Sequence, residues 1–478
     1  MRFVLILLLT AAATAQQTQT SHTTESLRGV SAVSRDVAWA SGTHGTYLRT
    51  TDAGRTWQPA QVPGAITLDF RAVVAFSANE AFLMSAGPGD QSRIYHTADA
   101  GQHWQLQFTN SNPKGFFDSM VFWDTKHGVV LGDPIPEDPN NASGALKFEL
   151  LLTDDGQTWR PIPPANLPPA LEGEGAFAAS NSCLAILRDN AVTPTSHVIP
   201  RSAATRARPE LVEGNLLSAG TTDARRSTAA PAPPWKSGAS APRNPPQTDG
   251  ASAPNPNLWF ATGGHAARVF HSPDRGQTWQ VFDTPIVHGP DSAGIFSIAF
   301  RDPTHGVIAG GDYKHPNQDG PNLAFTEDGG KTWTLSAIHP QAYFSAVAYD
   351  RNFTRTPTTS TLANLVIPRS EATRACPELV EGNLLSARTT TAASSTASPA
   401  PPKISGASAP RKLSPERLFL VGQDFLFDFR PPSNPRRISP KKRSGIQFNA
   451  ISPYPQGGAL VVGPKGSIAT IPPAAPSP

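Results

Sequence analysis

Thr50-Thr51-Asp52-Ala53-Gly54-Arg55-Thr56-Trp57 is the first of five copies of one pattern, Ser/Thr-x-Asp-x-Gly-x-Thr-Trp. The others run from Thr97 to Trp104, Leu152 to Trp159, Ser272 to Trp279 and Thr326 to Trp333. His103 replaces Thr in the second, and Leu152 heads the third. The spacing has a mechanism. An Asp can accept bonds from backbone N–H groups just ahead of it and fold a tight turn. The Gly tolerates positive φ. The Trp brings a large apolar body to the junction between neighbouring sheets. The structural positions are therefore Asp52, Trp57, Asp99, Trp104, Asp154, Trp159, Asp274, Trp279, Asp328 and Trp333. Repetition at this period signals a solenoid, propeller or array.

The boxes resemble the Asp-box (BNR) repeats of sialidases and of many non-enzymatic propellers. The whole chain looks more like the photosystem II stability/assembly factor family, whose bacterial relatives also occur outside photosynthesis. The resemblance implies a β-propeller whose binding site lies on the face opposite the Asp-boxes.

A second repeat supports that architecture. Seven units open on an aromatic or Leu followed by a short strand: at Leu27, Phe70, Phe117, Phe177, Phe296, Phe344 and Phe448. A second strand follows, as in His127–Gly132 or His305–Gly310; a third leads into the box, and a fourth begins at its Trp. The expectation is an all-β fold, a seven-bladed propeller of four-stranded antiparallel blades, since radial closure leaves few exposed edges. Six or eight blades are the alternatives. The last unit offers three strands, so Gln17 to Glu25 should supply the fourth and close the ring.

Residues 1–15 read as a secretory signal peptide: Arg2, an apolar run from Phe3 to Leu9, then Ala13-Thr14-Ala15. That run is too short to span a bilayer, and no transmembrane segment is expected elsewhere. The mature chain, residues 16–478, should be one exported propeller, periplasmic or extracellular, and a monomer.

Two segments interrupt it. Residues 198–243 and 366–411 align without a gap and differ at nine of 46 positions, far less than the boxes have diverged. They resemble translated interspersed bacterial repeats. Rich in Ala, Ser, Thr, Pro and Arg, they bury too little apolar surface to offset the cost of ordering. They are expected to be disordered and dispensable, entering blades four and six between first and second strands. They also distort the charge. The copies carry +4 and +2, so without them the formal charge of +3 becomes −3. The basic balance is therefore no argument for a nucleic-acid partner.

The chemistry is sparse. Cys183 and Cys376 are the only cysteines, with no metal spacing and no expected disulfide. No phosphate loop, nucleophile elbow or zinc helix occurs, and no metal or cofactor is expected. An Asp-box offers too few oxygens for Ca²⁺. The basic run from Arg430 to Arg443 reads as a solvated loop or an anionic-polymer contact. On the face opposite the boxes stand Arg28, Arg71, Asp118, Asp133, Glu174, Asp312, Tyr313 and His315. They either pair and solvate loops or bind a charged peptide or sugar. The first reading is a non-enzymatic binder of a protein or peptide, an assembly or stability factor for an envelope complex. The alternative is a sialidase-like glycosidase or carbohydrate-binding propeller. By resemblance, a sialidase needs three arginines and a Tyr–Glu pair; Arg28 and Arg71 supply two, and no third is evident.

Overall fold

The computed structural model describes residues 16–137, 144–187, 255–337, 342–351, 417–422, 425–429, 436–437 and 448–473. Both inserts, the signal-peptide segment, Cys376 and most of the Arg430–Arg443 run lie outside the described residues. Seven antiparallel sheets follow one another as blades. Blade 1 is Leu27–Ala32, Ala38–Gly42, Thr46–Thr50 and Gln58–Gln61. Blades 2, 3, 4, 5 and 6 begin at Asp69–Ala75, Phe117–Phe122, Leu184–Ile186, Ala293–Phe300 and Phe344–Tyr349. Blade 7 is Ala450–Pro453, Ala459–Gly463 and Ser467–Ile471, completed by Gln17–Gln19, which pairs with Ser467–Ile471. The ring thus closes with an N-terminal strand, as expected.

The apolar core is divided into seven clusters, each shared by two adjacent blades. Each box Trp enters the cluster shared with the preceding blade. Trp104 lies edge-on to Tyr47 at 5.1 Å, Trp159 to Phe122 at 5.7 Å, and Trp279 to Phe260 at 5.3 Å. The indole N–H groups of Trp57 and Trp159 reach Gln19 and Gln107 on the previous blade's outer strand. The box therefore folds its own turn and fastens two blades together.

Inside the first box, Asp52 accepts from the Thr56 N–H and hydroxyl, and Thr50 Oγ1 accepts from the Gly54 N–H. Ala53-Gly54, Ala100-Gly101, Arg275-Gly276 and Gly329-Gly330 all have two successive positive φ angles. The third box differs. There Asp155, not Asp154, accepts from Thr158, and Thr153 takes the place of Leu152. One left-handed residue is missing, so the turn is one residue shorter and the adjacent Asp fills the role. Asp154 instead pairs with Arg160 on the surface. Asp155→Ala should therefore lower the melting temperature, while Asp154→Ala leaves it nearly unchanged, because exposed pairs contribute little. Asp274→Ala should cost about 1 kcal/mol through its lost turn bonds.

Blade 4 also departs from the sequence expectation. Phe177-Ala178-Ala179-Ser180 mimics the opening of an inner strand, but that strand is Leu184–Ile186. The earlier segment instead crosses the centre of the ring. Ala178 O accepts from Arg71 of blade 2, and Ser180 Oγ donates to Ser345 O of blade 6. Asn181 bonds Ser119 and Met120 of blade 3, and Ser182 O accepts from Ile298 of blade 5. Residues 177–182 plug the channel.

Candidate binding site at the channel mouth

The first strand of five blades carries a bulge at one position, against the second strand. Register shifts fall between Leu27/Gly29, Phe70/Ala72, Phe117/Ser119, Ile295/Ser297 and Phe344/Ala346. A bulge re-aims the extra side chain. The bulged residues are Arg28, Arg71, Asp118, Phe296 and Ser345. In blade 5, then, Ile295 holds the place read for Phe296, and Phe296 stands where blades 1, 2 and 3 have Arg or Asp.

Arg28 and Arg71 are brought together by Asp69, a residue the sequence reading passed over. Its two oxygens take Arg28 Nε at 3.3 Å and Arg71 Nε at 2.9 Å. Both arginine side chains stay partly exposed, at 29% and 28%, with Asp69 at 24%. Arg71 Nη1 holds Ala178 O at 2.9 Å. Asp69 fixes each guanidinium through Nε, so terminal N–H groups remain for a ligand. Such groups make planar, charge-assisted bonds to carboxylates.

Asp118 is different in kind. It is 1% exposed, and its Oδ2 has no hydrogen-bond partner. Burial, with Asp133 close by, holds its carboxyl well above the usual range; Arg71 acts against this and Glu149 adds to it. Burial also raises Asp133, whose Oδ1 accepts from the Ala176 N–H, and Glu149, bonded to Asn110. A raised carboxyl binds its proton more tightly in the folded chain than in the unfolded one. Its stabilising effect is complete below the unfolded value, near 4, and is lost as pH rises through the folded value. Asp118→Asn should therefore raise the melting temperature at pH 8 by about 2–4 °C for each 1 kcal/mol regained. The gain should shrink towards zero at pH 4 in a calorimetric series.

Glu174 does not belong to the surface at all. Its side chain is 0% exposed, and it takes Arg268, the Thr262 hydroxyl and the Leu171 N–H. Glu174–Gly175 joins Gly263–Gly264 on the edge of the blade 5 sheet. All its lone-pair directions are engaged inside the fold, so it is a tether for the link into the plug. Asp312 is likewise spent locally, accepting from the Lys314 N–H and pairing with His315 at 2.7 Å. His315 remains exposed, and Tyr313 is 44% exposed. The structure therefore brings together Arg28, Arg71 and Asp69 at the mouth, with Asp118 buried and Asp133 half-buried behind them. Asp312, Tyr313 and His315 lie where the second strand of blade 5 ends, and Tyr313 reaches the bulge residue Phe296 there.

Among the described residues no group of three His, Cys, Asp or Glu side chains could hold a metal ion, and no helix is long and apolar enough to cross a membrane. Cys183 is buried and free, with burial pushing its thiol far up.

Fold and site together define a seven-bladed Asp-box propeller with a plugged channel and an arginine pair at its mouth. No family model and no curated protein matches the chain. Solved structures with a similar fold include YCF48 bound to D1 peptide, at 12% identity and a TM-score of 0.48, over 95% of this chain and 96% of that one. YCF48 from Cyanidioschyzon merolae is similar at 13% identity and a TM-score of 0.44, over 96% and 98%. A virginiamycin B lyase from Staphylococcus aureus is similar at 9% and 0.48, over 95% and 98%. At these identities and scores the neighbours assign no ligand or chemistry to this chain.

Proposed function

We propose that this chain is a non-enzymatic, exported propeller that binds a protein or peptide partner through an acidic group at the channel mouth, in the manner of an assembly or stability factor. The observation that carries the reading is the Asp69 bridge: one carboxylate pre-positions two partly exposed arginine side chains from adjacent blades. Holding them in place beforehand lowers the ordering cost of binding. The leader-like sequence of residues 1–15 supports export.

The glycosidase reading finds less support. The remaining bulge positions carry Asp118, Phe296 and Ser345 rather than a third Arg. Tyr343 and Tyr349 are pushed far up by burial, the opposite of an activated nucleophile.

The test is selection of a phage-displayed random heptapeptide library on the immobilised propeller, beside an assay on a fluorogenic sialoside. Enrichment of Asp- or Glu-bearing peptides, competed by salt, is the expected result. Failure to enrich acidic peptides, or turnover of the sialoside, would overturn the proposal.

A further inference from the structure

Four aromatic rings from separate parts of the chain meet at the plug, one residue from the carbonyl that Arg71 holds. Phe177 of the plug stacks on Phe296 with centroids 3.9 Å apart and planes 11° from parallel. Tyr343 meets Phe296 edge-on at 4.7 Å. Tyr313 stands edge-on to Phe296 at 6.2 Å and lies 6.4 Å from Tyr343. Phe296 and Tyr343 are buried, Phe177 is half-buried, and Tyr313 is one of four large hydrophobic side chains exposed among the described residues. The result is a ring-lined surface with a buried floor.

The backbone beneath is adapted to it. A Cβ on Gly263 would lie 2.1 Å from Phe177 Cε2, and one on Gly294 would lie 3.1 Å from the same atom. Gly294 also has φ 148°, which other residues rarely adopt. Only glycine lets the two strands approach closely enough for Phe177 to lie flat on Phe296. The cluster is also continuous with the charged site, because Ala178, the residue after Phe177, is held by Arg71.

We propose that this surface is the second half of the ligand site, and that it takes an aromatic side chain lying within a few residues of the acidic group seated on Arg28 and Arg71. The occupant is thus an acidic–aromatic peptide segment. The charge complementarity comes from the arginine pair, and the stacking faces come from Phe177 and Tyr313. This rests on the peptide-binding reading above. Edge-to-face and offset contacts favour an aromatic guest over an aliphatic one. A half-exposed ring together with a pre-positioned cation fits the composition of energetically dominant interface positions.

The experiment uses fluorescein-labelled nonapeptides of Gly/Ser background in a fluorescence anisotropy titration. They carry one Asp; one Phe; neither; or Asp with Phe one, two or three residues away. At least one Asp-plus-Phe peptide should bind about tenfold more tightly than the Asp-only peptide, the factor a single well-placed ring supplies. Tyr313→Ala should bring that ratio close to one, whereas Tyr313→Phe should keep it. Equal affinity for the Asp-only and all Asp-plus-Phe peptides would overturn the aromatic site while leaving the acidic one standing. Binding of the Phe-only peptide as tightly as the best Asp-plus-Phe peptide would overturn the peptide-carboxylate reading itself, as would no binding of any peptide.

Discussion

Replacing Arg28 and Arg71 together by Ala should weaken binding of acidic peptides by about a hundredfold or more. Each charge-assisted hydrogen bond contributes roughly 1.5–3 kcal/mol, and the double variant removes both guanidinium groups. The fold should survive. Both side chains are over a quarter exposed, and Asp69, left behind, remains partly open to water at 24%. The change in stability should be confined to about 1 kcal/mol for the lost Arg71–Ala178 bond. The matching pair on the other face, Arg55→Ala with Arg275→Ala, should leave peptide affinity intact. Arg275 lies over the Trp123 ring at 5.4 Å, within the Asp-box turns. Titration of both variants at two salt concentrations checks the result. Unimpaired binding by the Arg28/Arg71 variant would remove the site from the channel mouth.

The largest loss of stability should follow Arg417→Ala, on the order of 3–5 kcal/mol, as for other broken buried ion pairs. Arg417 is 3% exposed, and its guanidinium holds Asp350 at 2.8 Å and Asp428 at 3.0 Å. It also reaches Pro472 O and lies over Phe419 at 4.7 Å. Asp350 is 1% exposed on its side chain, and its other oxygen accepts from Gly458 N–H of blade 7. Removing the guanidinium would take this counter-charge from a buried carboxylate at the joint between two blades. Arg417→Lys should recover only part of the loss, because an ammonium cannot span both carboxylates with a planar fork. Urea denaturation of the two variants measures this. A loss below 1 kcal/mol for Arg417→Ala would show that water reaches Asp350.

The blade count was legible because the box repeats its chemistry: Asp, Gly and Trp each have a local task that spacing alone exposes. Closure by Gln17–Gln19 was legible because blade 7 lacked a strand. What failed did so where two local patterns look alike. Asp154 and Asp155 sit side by side ahead of Gly156, and only the turn's backbone chooses between them. Phe177-Ala178-Ala179-Ser180 has the composition of an inner strand, yet its partners lie on four other blades. Asp69 precedes the expected strand opening at Phe70, so the repeat gave no reason to single it out. Glu174 looked available because its partner, Arg268, lies beyond the first insert. The aromatic cluster joins residues from the plug, two blades and a loop, and no period relates them.

Gln17–Gln19 has a further consequence, in the order of assembly. Its partner strand, Ser467–Ile471, stands about 450 residues downstream, and the side-chain bond from Thr470 to Gln17 O spans 453 positions. Blades 1 to 6 each take their strands in chain order from one stretch of sequence, although blades 4 and 6 must bridge an insert between their first and second strands. The seventh does not, because its outermost strand is made first and its remaining three are made last. Blade 7 therefore cannot be completed, nor the ring closed, before Ser467–Ile471 has been made. Until then Gln17–Gln19 has no partner strand from its own sheet, so the first residues of the folded body depend for their pairing on the last.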